Sequence, residues 1–145
     1  MKGGLMCLKS LGKYRDEGLL LLRVGIGIMF ILHGWPLVSG GVAMWEKLGL
    51  ATGALGIHFA PTFFGFMAAF AQFGGGICLV LGFFTRLACL FLFIDMFVAS
   101  AMHLTKGDDL MMMASHAIEA AILFLSLVFI GAGKYSLDEK MEQRK

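Results

Sequence analysis

The chain has 145 residues and a net charge of +2, and 59% of its residues are hydrophobic, against about 45–50% in a soluble domain. With a mean hydropathy of +0.83, these totals exclude a water-soluble globule; the net charge says little about partners, and no nucleic acid is expected among them. Cys7, Cys78 and Cys89 form no CxxC pair, so they supply neither a disulfide framework nor a zinc site and read as small buried apolar residues.

About 20 helical residues cross a hydrocarbon core of roughly 30 Å, and four apolar runs approach that length. The first covers about 18–38 and holds Arg23 and His33; its basic approach imitates a signal peptide, but no small-residue cleavage site follows a compact apolar core, so it is kept as a helix. Between it and the second run lies "SGGVAMWEKLGLATGALGIHFA", Ser39 to Ala60, too polar and glycine-rich to cross and too apolar for a hydrated loop. That segment is expected at the outer interface, with Trp35 and Trp45 at headgroup depth. The second span, about 61–84, contains Gln72; the third, about 87–103, contains Asp95; the fourth, about 112–132, contains His116 and Glu119. The fold expected is therefore an all-α membrane protein, one antiparallel four-helix transmembrane bundle over 1–145 with an interfacial segment between its first two helices. The short "FFTR" turn makes spans two and three a tight hairpin, and the closing "AGKYSLDEKMEQRK" reads as a charged, solvated tail.

Charge sets the orientation. Lys2, Lys9, Lys13, Arg15, Arg23, Arg86, Lys134, Lys140, Arg144 and Lys145 fall on the side of the termini and only Lys47 and Lys106 on the other, so both termini are expected in the cytoplasm.

Ionisable groups inside the bilayer are costly, so they face the bundle interior and find partners. At about 1.5 Å of rise per residue, Asp95 lies about 12 Å and Arg23 about 8 Å from the inner ends of their spans. The expectation is a buried Arg23–Asp95 ion pair that fixes register. His33, His103, His116 and Glu119 lie nearer the outer surface, on three helices, and could enclose a small polar cavity. His116 and Glu119 stand at the i, i+3 spacing that bundle metal sites repeat on two helices, although here it appears once. Two readings stay open for this tier: a metal site on His33, His103, His116 and Glu119, or a quinone and proton site on His33, His116, Glu119 and Gln72. Either competes with histidines that merely pack. The 11 methionines, with "LMMMASH" at Leu110 to His116, fit gap-filling packing better than copper ligation.

"LLRVGIGIMFILHGWPLV", "EKLG", "AQFGGGICLVLGFFTRLACLFLFIDMFVA" and the closing "GAGKYSLD" together resemble the DoxX family of small four-helix bacterial inner-membrane proteins. The most specific pieces are His33–Gly34, the run from Gly75 to Arg86, and Gly131 to Asp138. The resemblance implies a multi-pass protein of the bacterial cytoplasmic membrane. It also implies a redox-linked role, since the family takes its name from a subunit associated with thiosulfate:quinone oxidoreductase. Many members carry a glutamate where this chain has Gln72, so a role resting on that carboxylate does not carry over.

Three functions compete. The first is a quinone-associated membrane subunit working with a soluble partner in sulfur, thiol or oxidative-stress metabolism; no haem or flavin motif is visible, so electrons would come from that partner or from an unseen cofactor bound at the histidines. The second is a non-enzymatic anchor or assembly scaffold. The third, a small-molecule or ion permease, lacks the paired broken helices of transporters and has four short helices that form a small pathway at best, an objection that a homo-oligomer would relax.

Overall fold

The computed structural model describes residues 10–109 and 114–144. A 3-10 turn, Ser10–Tyr14, leads into α1 (Arg15–Ser39) and α2 (Gly41–Gly49); a second 3-10 segment, Leu50–Leu55, precedes α3 (Pro61–Leu81), α4 (Thr85–Lys106), α5 (Ser115–Ile130) and the short α6 (Leu137–Glu142). No strand forms among the described residues. Helices α1, α3 and α4 are long and apolar enough to cross a bilayer, and α5, at 16 described residues, is the shorter fourth. The all-α membrane bundle expected from the apolar runs is the fold observed. The first two residues of the expected fourth span, and all but the end of the methionine-rich run, lie outside the described residues.

Chemistry at the ends explains where the boundaries shifted. Helix α1 starts at Arg15 because the charged first turn, with Asp16 and Glu17, still makes good helix, its acids complementing the positive N-terminal end of the helix dipole. Helix α3 opens on Pro61, whose missing N–H is no loss at the first position, and stops at Gly82 in the left-handed conformation. Helix α4 runs on to Lys106 and is closed by Gly107 at φ 72°, an ordinary glycine C-terminal signal.

Leu19 and Phe30 of α1, Leu79 of α3, Cys89 and Leu92 of α4, and Phe124 and Leu127 of α5 make one buried cluster where the four long helices meet. Phe30 and Phe124 touch edge to face, ring centroids 4.8 Å apart. Backbones approach closely between α1 and α3. A Cβ on Gly27 would sit 2.8 Å from Gly76 O, and one on Gly76 would sit 2.8 Å from Gly27 O. Small residues allow that approach, which supplies the packing that helix association inside lipid depends on.

The interfacial segment is more anchored than its composition suggests. Helix α2 lies against α3, and the 3-10 segment after it reaches α4. The Trp45 indole N–H donates to Leu37 O at 2.9 Å and its ring meets Phe66 at 5.1 Å, whereas Trp35 stays exposed as an interfacial aromatic should.

Candidate functional site

The polar residues fall into a tier at the end of the bundle carrying both termini, a tier deep in the apolar region, and a scatter on the outer surface.

Arg23 anchors the first tier. Its side chain is completely buried and its Nη2 donates to Tyr135 O at 2.7 Å. Gly82 makes room for it: a Cβ there would lie 1.8 Å from Arg23 Nη1. Nε and Nη1 of Arg23, and Oγ1 of Thr85, have no hydrogen-bond partner among the described residues. Around them the chain that follows α5 folds back into the bundle. Asp138 donates its N–H to Gly82 O at 2.9 Å, while its carboxylate accepts the N–H of Phe84 at 2.7 Å and of Thr85 at 2.9 Å. It thereby satisfies two orphan donors at the start of α4 and places an anion at the positive end of that helix. It also supplies the charge opposing Arg23.

Ser136 is buried, donates to Gly133 O at 2.6 Å and caps α6 by accepting the Glu139 N–H at 3.1 Å. Tyr135 Oη donates to Glu17 Oε1 at 3.2 Å; the Glu17 carboxylate, as charge and as acceptor, raises the Tyr135 phenol above its ordinary pKa. The expected solvated tail is thus a docked segment at its start, because Gly131 to Asp138 satisfies groups that the spans leave open.

Asp95 governs the second tier, and here the expected ion pair is corrected. Gln72 Nε2 donates to Asp95 Oδ2 at 2.8 Å, and no Arg23–Asp95 ion pair forms; among the described residues the one ion pair is between His103 and Asp108. The reason is depth. Arg23 packs on Gly82 beside the start of α4, whereas about 15 Å of helix rise separates Asp95 from Thr85, farther than an arginine side chain spans. Span ends read from hydropathy alone placed Arg23 too deep and Asp95 too shallow, since polar first turns belong to the helices but not to the bilayer.

The outer residues do not converge. His103 Nδ1 lies 2.8 Å from Asp108 Oδ2 at the end of α4. His33, His116 and Glu119 are exposed on the outside of the bundle, His33 lying 6.3 Å from the Phe30 ring. Among the described residues no three His, Cys, Asp or Glu side chains could hold a metal ion, which removes the expected His33, His103, His116 and Glu119 centre. Their helices present these side chains to different surroundings, a rotation that the small-residue faces alone did not fix. Cys78 and Cys89 are free thiols; Cys7 lies outside the described residues.

The DoxX family model matches residues 18–104, a stretch holding α1 to nearly the end of α4. The chain belongs to the DoxX family. Inner membrane protein YqjF of Escherichia coli (strain K12) is 27% identical to it over 136 residues, covering 91% of this chain and 98% of YqjF. An uncharacterized protein of Haemophilus influenzae is 33% identical over 146 residues, covering 92% and 97% of the two chains. No solved structure matches. Together with its apolar helices, membership makes this DoxX-family chain a bacterial inner-membrane protein in contact with the lipid bilayer. Tyr135, Ser136 and Asp138 at the Arg23 tier are not among the site residues expected from the sequence, although the closing "GAGKYSLD" is the signal in the chain that points to them.

Proposed function

We propose that this DoxX-family protein is the membrane subunit of a quinone-linked redox system, with both termini in the cytoplasm, where a soluble redox enzyme would dock. The observation that carries this reading is the exposure of His33, His116 and Glu119 on the outside of the bundle within stretches that read as membrane-spanning. Ionisable groups there are expensive unless something polar meets them, and a quinone diffusing in the lipid meets the outside of a bundle first. His33 and His116 would hydrogen-bond its carbonyls and Glu119 would exchange the proton, because imidazole and carboxylate accept and release protons near neutral pH. Bound quinone would supply two-electron, two-proton chemistry. The Gln72–Asp95 pair gives the bundle a second carboxyl group deep in the span, placed to hold a proton. Arg15, Arg86, Lys134, Lys140 and Arg144 at the end with the termini, against Lys47 and Lys106 at the other, support the orientation.

The same exposed groups also favour a second reading, in which a partner protein or a second copy covers them and the chain serves as a scaffold. Extraction of quinone from the purified protein, followed by cross-linking with a photoreactive quinone, separates the two. Stoichiometric quinone that is lost on His33→Ala or Glu119→Gln supports the redox subunit; a quinone-free protein that remains bound to an intact membrane or soluble partner supports the scaffold.

A further inference from the structure

A charged cavity and an apolar groove meet at one strained residue. The cavity, about 770 Å³, lies at the end of the bundle that carries the termini, its walls including Arg15, Arg86 and Lys134 as well as Asp16, Glu139 and Glu142. The groove, about 290 Å³ and almost wholly apolar, lies between α3 and α4, with Met67, Phe70, Gly74 and Cys78 on one side and Phe91 on the other. Phe84 and Leu87 line both spaces and are both more than half or half exposed, at 57% and 50%. Phe84 holds φ 46°, a left-handed conformation rare for a bulky side chain that persists where the surroundings over-determine it. The Asp138 carboxylate, accepting the N–H groups of Phe84 and Thr85, is what holds it there.

We infer that the cavity and groove together form a binding site for an ethanolamine phospholipid of the adjacent leaflet. Its zwitterionic head occupies the cavity and one acyl chain lies in the groove. Four properties point to that occupant. The cavity carries both signs of charge, which suits a head holding a phosphate and an ammonium better than a purely anionic one. Arg15 and Arg86 form no ion pair among the described residues, and the Arg86 guanidinium lies along Gly131, where a Cβ would come within 3.2 Å. Arg86 is therefore free to bind a phosphate through its planar fork. Among the carboxylates, Asp138 is committed to the α4 N-terminus, Asp16 accepts the Lys134 N–H and Glu139 Oε1 accepts the Gln143 side-chain N–H at 2.9 Å, which leaves Glu142 to receive the ammonium. The groove spans about 16 Å of helix rise from Met67 to Cys78, enough for most of an acyl chain, and small residues on α3 form its floor. The site is separate from the outer-surface residues of the quinone reading.

The test titrates the detergent-purified full chain with phosphatidylethanolamine, phosphatidylglycerol and phosphatidylcholine of one acyl composition and counts bound lipid by native mass spectrometry. Phosphatidylethanolamine is expected to bind at one per chain and about tenfold tighter than either competitor, equivalent to about 1.4 kcal/mol. Arg86→Ala should weaken it by a similar factor, and Glu142→Gln should narrow its advantage over phosphatidylcholine, whose quaternary ammonium cannot donate hydrogen bonds. Gly74→Leu should block the groove while preserving the fold, since a Cβ at Gly74 meets only the Phe70 ring at 3.5 Å; Ala71→Leu is the second groove variant. Equal retention of lipid by Arg86→Ala and by a folded groove variant would overturn the site, and tightest binding of phosphatidylglycerol or phosphatidylcholine would overturn the assignment of its head.

Discussion

Asp138→Ala should loosen the bundle from the end that hydropathy marks as a solvated tail. The carboxylate accepts two backbone N–H groups, from Phe84 at 2.7 Å and Thr85 at 2.9 Å. Hydrogen bonds to a charged group contribute about 1.5–3 kcal/mol each, and removal of an N-terminal cap costs about 0.5–2 kcal/mol. The substitution also takes away the charge opposing Arg23 and the restraint on the left-handed Phe84. Neighbouring contributions overlap rather than add, so about 3 kcal/mol is the expected loss. Asp138→Asn should recover at most half, because one amide oxygen replaces two carboxylate oxygens and the amide nitrogen confronts a second donor. Lys140→Ala, at an exposed position on the same short helix, is the control. Reversible unfolding in mixed micelles with increasing dodecyl sulfate, followed by circular dichroism, ranks the four proteins. If Asp138→Ala unfolds with wild type and Lys140→Ala, the docked C-terminal segment is not a determinant of stability and the reasoning fails.

Gln72→Leu should destabilise by about 1–3 kcal/mol by stripping Asp95 of its donor, and adding Asp95→Leu should restore most of that, since removing both partners is far cheaper than removing one; the same micelle unfolding measures it. Arg23→Met and Asp95→Asn, by contrast, should be additive within about 0.5 kcal/mol, as expected of residues too far apart to share a partner; a larger coupling would restore the ion pair. Thr85→Val should leave stability unchanged or higher, because the hydroxyl removed is buried without a partner among the described residues, and a clear drop in the unfolding midpoint would reveal a partner. Gly65→Ala should cost about 3 kcal/mol, the upper part of the range for overpacking. Its Cβ would fall 1.7 Å from Trp45 O, so release of Trp45 should appear as a red shift of indole fluorescence. The Tyr135 phenol, held high by Glu17, should titrate at lower pH in Glu17→Gln. Because its folded pKa is raised, the small stability linked to that contact is present below the ordinary phenol pKa and is lost as pH rises through the folded value.

Where the chain is a continuous apolar run, the sequence sufficed. The lengths of α1, α3 and α4 follow from the bilayer's thickness, and Pro61, Gly82 and Gly107 mark ends that local backbone chemistry dictates. Asp95 and Gln72 were legible as buried residues needing partners, since an ionisable or amide group in an apolar stretch must satisfy itself internally. Which partner each one found was not legible. That depends on the relative depth of two helices, and a polar first turn such as Arg15 to Glu17 extends a helix without moving the bilayer.

The outer histidines show the same division more sharply. A spacing of i, i+3 puts His116 and Glu119 on one side of α5 whatever the fold, but whether that side meets His33 or the lipid is a rotation about the helix axis. That rotation is set by Phe124 seating on Phe30 and Leu127 joining the common core. The sequence by itself determined that this is a helical membrane protein, which segments cross and which residues cannot be left unpartnered, because those follow from local composition and the transfer of side chains into lipid. Only the tertiary structure decided that Arg23 belongs with Tyr135, Gly82 and Asp138, that Asp95 belongs with Gln72, and that the outer histidines stay apart. Those pairings join residues distant in sequence, fixed by the depth and rotation at which small faces such as Gly27 and Gly76 come into contact.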